Sequence, residues 1–213
     1  MSEYGYIPKA PEQSAFNNKG IFKPKDIYNL DQADKWTPQL GQLELIETQT
    51  YSSAVSFVDF TNLGDYNVHF MTFSQMSNGG DNRETINIRF YESGVLETAS
   101  VYQNARQNAG LNPSVGFGES RSTAQSSIKT LFGSGTATGE NDAGYAYFYN
   151  LGDSAKYSFC TFQCVGLTSG AEYQGSFGSA VLPQASTVDG IRILVNIGTY
   201  NDFVISLYGI KEY

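Results

Sequence analysis

Residues 84–93 read ETINIRFYES, and their alternation decides the fold class. Ile86, Ile88 and Phe90 share one side of an extended chain, while Thr85, Asn87, Arg89 and Tyr91 share the other. A period of two means a half-buried β-strand. Ser93-Gly94 then offers a tight turn, and GVLETASVY reads as the second half of a hairpin. The same alternation recurs on both sides: LELIETQT from Leu43, AVSFVDF, NVHFMTFSQ, SSIKTLFG, GYAYFYN, KYSFCTFQ, SFGSAVLP, GIRILVN and DFVISLYGIK. Nine or ten short strands without helical segments between them predict an all-β, antiparallel jelly-roll sandwich over residues 41–213. Residues 103–125, polar and glycine-containing, read as a long loop.

Residues 1–40 differ. They hold Pro8, Pro11, Pro24 and Pro38 and the only tryptophan, Trp36. Pro24 suits the first turn of one short helix, KPKDIYNLDQADKW, whose thin apolar face needs a surface to lie on. This stretch reads as an extended N-terminal arm that anchors the domain to a larger body. Phe16, Ile21, Phe22, Ile27, Tyr28, Leu30 and Trp36 are its candidate partner-binding residues.

The acids and lysines of residues 1–38 balance, so the net charge of −8 lies on the remainder. An acidic body repels phosphates, which argues against nucleic acid as a partner. No run of 18 apolar residues predicts a membrane span, and MSEYGYIPKAPEQ lacks the basic-then-apolar order of a secretory signal. Cys160 and Cys164 lie on one strand face about 13 Å apart. That is too far for a disulfide, so they read as two buried thiols of a reducing cytoplasm.

Chemistry is thinly represented. His69, the single histidine, lies between Val68 and Phe70 and reads as a hydrogen-bonded sheet residue. No G-x-S-x-G turn is present, and Asp59, Asp65, Glu84 and Glu92 have no context that marks a glycosidase pair. SNGGDNRE (Asn78, Asp81, Asn82, Glu84) and GENDAG (Glu140, Asn141, Asp142) carry Ca²⁺-compatible oxygens, but neither has the D-x-D-x-D-G order, and turn chemistry accounts for both. No catalytic residue, metal or cofactor is expected. Tyr145, Tyr147 and Tyr149 share a strand face. Such rows suit a subunit interface or sugar stacking, and the interface is the favoured reading, in a homotrimer.

Three stretches carry a family likeness: GYIPKAPEQSAFNNKGIF, NKGIFKPKDIYNLDQADKWTP and STVDGIRILVNIGTYNDFVISLYGIKEY. The second spaces Gly20, Phe22, Tyr28, Leu30, Ala33 and Trp36 as in short stretches of phage fibre and appendage proteins. The ending SLYGIK is the most specific part. The chain thus resembles virion structural proteins of tailed bacteriophages, marine and cyanobacterial ones especially. The resemblance implies a component of the particle, assembled in the bacterial cytoplasm, that touches other virion proteins, and within that reading a tail- or fibre-associated appendage is favoured. A capsid decoration protein is the alternative. A glycan-binding receptor module or a depolymerase, contacting host-surface glycan, stands as a third reading.

Overall fold

A computed structural model describes residues 13–14, 17–18, 23–33, 43–79, 86–111, 116–130, 135–137, 139–167, 170 and 172–211. The chain divides into two compact units, 1–42 with Tyr213, and 43–212.

In the first unit β1 (Gln13–Ser14) pairs antiparallel with β2 (Asn17–Asn18), and α1 spans Pro24–Gln32. The helix starts as its sequence dictates. Pro24 occupies the first helical position, where no N–H is needed. The Asp26 carboxylate accepts the Lys23 N–H at 2.9 Å, while Lys23 C=O accepts Asp26 N–H at 2.9 Å. That reciprocal cap satisfies groups a helix start would otherwise leave open. Ile27 and Leu30 are half-buried, and Tyr28 is exposed. Phe16, Ile21, Phe22 and Trp36 lie outside the described residues.

The second unit is an all-β antiparallel sandwich. Its strands are β3 (Leu43–Tyr51), β4 (Phe57–Phe60), β5 (Val68–Asn78), β6 (Ile86–Glu92), β7 (Val95–Leu96), β8 (Tyr102–Gly110), β9 (Phe117–Gln125), β10 (Ile128–Lys129), β11 (Asn141–Tyr149), β12 (Tyr157–Leu167), β13 (Tyr173–Ala185), β14 (Val188–Val195) and β15 (Tyr200–Ile210). The larger sheet runs β3-β15-β5-β11-β12-β13-β8-β9. The smaller runs β10-β6-β14-β4, with β7 on β6. Four pairs nest inside one another: β3·β15, β4·β14, β5·β11 and β6·β10.

The core forms where the two inner faces meet. Phe90 of β6 stands edge-on to Phe148 of β11, ring centroids 5.9 Å apart, and 6.1 Å from Tyr102, whose hydroxyl accepts the Phe90 N–H at 2.9 Å. Ile86, Ile88 and Phe90 are all buried, as their alternation predicts. Burying each such side chain contributes about 1.5–3 kcal/mol.

Two expectations need correction. Residues 103–125 are not a loop. They hold the hairpin β8–β9, which extends the larger sheet beyond β13. The inward side chains of β8 beyond Tyr102 are Asn104, Arg106 and Asn108, all buried, so polar residues occupy the positions where alternation would have shown apolar ones. Thr130 lies against this face: its C=O accepts the Ser176 hydroxyl, and its own hydroxyl donates to Ile86 C=O at 2.8 Å. GENDAG also departs from a simple turn, since β11 begins at Asn141.

Candidate ligand-binding groove

The outer face of the larger sheet collects the side chains that alternation turns away from the core. Tyr145, Tyr147 and Tyr149 stand in a row on β11, with neighbouring ring centroids at 6.0 and 6.5 Å. The register Tyr147↔Phe70 and Phe70↔Tyr208 adds two more rings from β5 and β15. Phe70 lies 4.7 Å from Tyr147 and 6.1 Å from both Tyr145 and Tyr208. The sequence points to the tyrosine row. Phe70 and Tyr208 join it only through strand order, which no local pattern encodes.

From this row an open groove of about 800 Å³ crosses β12, β13, β8 and β9. A second hollow of about 640 Å³ adjoins it and shares Ala105, Arg121, Thr161 and Ser179 with it. Aromatic rings alternate here with neutral polar groups. Phe159 and Phe177 are 43% and 54% exposed. The Tyr145 hydroxyl donates to Gln163 Oε1 at 2.9 Å, and the Tyr149 and Thr161 hydroxyls lie 3.3 Å apart. At the far rim Arg121 and Glu119 of β9 approach to 3.8 Å. Rings that stack, amides that hydrogen-bond and a balanced rim suit a neutral, hydroxyl-rich or peptide-like ligand. Glu119 is the one carboxylate among the described lining residues, whereas glycoside hydrolysis uses two.

Several of the other candidate residues are held by structural contacts. His69 is buried, its Nε2 2.8 Å from Leu63 C=O. A carbonyl only accepts, so Nε2 carries the proton, and burial pulls the ring's pKa below its ordinary value. Cys160 and Cys164 are free and buried, and burial pushes the Cys164 thiol up to about 12. Neither forms thiolate at neutral pH. Asp59 is gripped by Arg192 through two bonds of 2.7 and 2.6 Å and accepts the Tyr91 hydroxyl at 2.9 Å. Arg192 also lies 3.8 Å over the Phe57 ring. Glu140 caps the backbone, accepting Ala137 N–H at 2.9 Å. Residues 80–84 of SNGGDNRE lie outside the described residues. Among the described residues no three His, Cys, Asp or Glu side chains stand close enough to share a metal ion, and no helix is long and apolar enough to cross a membrane.

Comparison with protein-family models, with curated proteins and with solved structures gives no match for this chain.

Proposed function

We propose that this protein is a non-enzymatic structural component of a bacteriophage particle: a jelly roll, held to its neighbours by residues 1–40. The observation that carries the reading is the nesting of β3·β15, β4·β14, β5·β11 and β6·β10. Eight strands paired in that order are what two successive Greek keys give, with β12, β13, β8 and β9 as an extension of one sheet. Among the described residues the buried core runs from Val58 to Leu207, with Ile46 and Val55 packed against it. The likeness of the first unit's sequence to phage appendage proteins supports its use in contacts with other virion proteins. Within the particle a tail-associated position is the favoured reading and capsid decoration the alternative. The test is a phage whose copy of this protein begins at Gly41. The shortened chain should unfold cooperatively when purified and be missing from the particles. Normal incorporation, or a truncated chain without a cooperative transition, sinks the proposal.

A second reading is favoured by the groove. Stacking rings beside amides and hydroxyls form the kind of surface that holds a neutral host-surface glycan. Full-length protein on an array of neutral and anionic glycans should bind neutral ones, and Phe177→Ala should abolish the signal. Binding unchanged by Phe177→Ala, or confined to anionic glycans, removes the groove from this role.

A further inference from the structure

The larger sheet ends on β9, and among the described residues β9 pairs only with β8. The strand is nine residues long, lacks proline and carries Phe117 at 96% exposure. Sheet edges of this kind are either blunted or paired. Backbone alternation identifies which of its groups are open. Gly110 N–H donates to Gly116 C=O at 2.9 Å, whereas Leu111 N–H donates to Tyr173 C=O at 3.0 Å. Even-numbered residues of β8 therefore bond toward β9 and odd-numbered ones toward β13. Following the register Asn108↔Gly118 and Arg106↔Ser120, Gly118 and Ser120 direct their backbone groups to β8. Phe117, Glu119 and Arg121 direct theirs out of the sheet.

We infer that β9 is the surface through which two copies of this chain pair, antiparallel, about a two-fold axis at Ser120. In that register Glu119 stands opposite Arg121 of the partner subunit, and by symmetry the contact occurs twice. The outward groups restrict the choice to registers two residues apart. One neighbouring register sets Glu119 opposite Glu119 of the partner subunit, and the other sets Arg121 opposite Arg121 of the partner subunit. Like charges directly opposite are destabilising, so only the central register is attractive throughout. Within one chain the two side chains are 82% and 68% exposed and 3.8 Å apart, a contact of small worth. The regular run of β9 also fits. Its pairing with β8 shifts between Ser122 and Gln125, so the undistorted segment reaches Ser122, and an axis at Ser120 uses 118–122 from each copy. Glu119 and Arg121 line the groove, so the pairing sets two grooves rim to rim across the axis.

The test uses the full-length chain. Light scattering at micromolar concentration should give a dimer. Glu119→Arg and Arg121→Glu should each raise the dissociation constant roughly tenfold or more, because two attractive pairs become repulsive. Combining them should return it to within about threefold of the starting protein, since each charge again meets its opposite. Ser120→Cys gives a register readout. Directly opposed, non-hydrogen-bonded residues have Cα atoms about 4.5 Å apart, within disulfide range, so mild oxidation should yield a covalent dimer. Ser122→Cys would lie about 13 Å from its own copy and should stay uncrosslinked. Cys160 and Cys164 are buried and leave the readout clean. A monomer or a trimer in solution, a double swap that fails to recover, or crosslinking at Ser122 in place of Ser120 overturns the inference.

Discussion

His69 carries a proton-linked cost that its neighbours impose. Its ring is buried beside Leu63 C=O and edge-on to Tyr66, centroids 5.8 Å apart, and burial lowers its pKa from 6.5. Below pH 6.5 the unfolded chain therefore takes up a proton that the folded chain refuses. Stability should be flat above that pH and should fall as the pH drops from 6.5 toward 5. Urea midpoints measured across this range check it, and His69→Gln should flatten the slope. A slope that survives the substitution belongs to another group. That His69 faces inward with Met71 and Phe73 is legible in the alternation of NVHFMTFSQ. Its partner is not, because Leu63 sits in the loop before β5, where no periodicity operates.

At the level of elements, turn chemistry is the most readable part of the chain. Ser93 and Gly94 have φ of 51° and 78°, and Glu92 pairs with Val95. Two successive positive values fit the two-residue hairpin turn expected from Ser-Gly. The SLYGIK ending shows how one strand meets several demands. Ser206 shares a 2.9 Å hydrogen bond with Thr48, Leu207 is in the core, and Lys211 reaches Glu44 at 2.8 Å. A Cβ on Gly209 would run into the Tyr66 ring. Gly209→Ala should therefore cost about 1–3 kcal/mol in chemical denaturation. The loss should shrink when Tyr66→Ala is added, since the two share one contact. Additive losses would mean the glycine matters for another reason. The hairpin β8–β9 stayed hidden for the opposite cause. Asn104, Arg106 and Asn108 face inward and Gln103, Ala105 and Gln107 outward, so neither face of β8 gives an apolar rhythm.

For the whole molecule, strand composition made the sandwich legible. Strand order was beyond reach, and the groove with it, because sheet neighbours such as β8 and β13 lie far apart in sequence. The nested order also sets a timetable. β6 and β10 can meet when about 130 residues exist, but among the described residues β3 pairs only with β15, since Leu43 pairs with Ile210. During synthesis the first body strand must wait until β15 has been made. Closure over such separations is slow, on the order of milliseconds to seconds in comparable all-β proteins. Stopped-flow refolding of residues 41–213 should fall in that range, and a chain ending at Thr199 should show no cooperative transition. The body would then be protected from proteolysis only after β15 has emerged, so its assembly partners meet either a closed sandwich or an open chain.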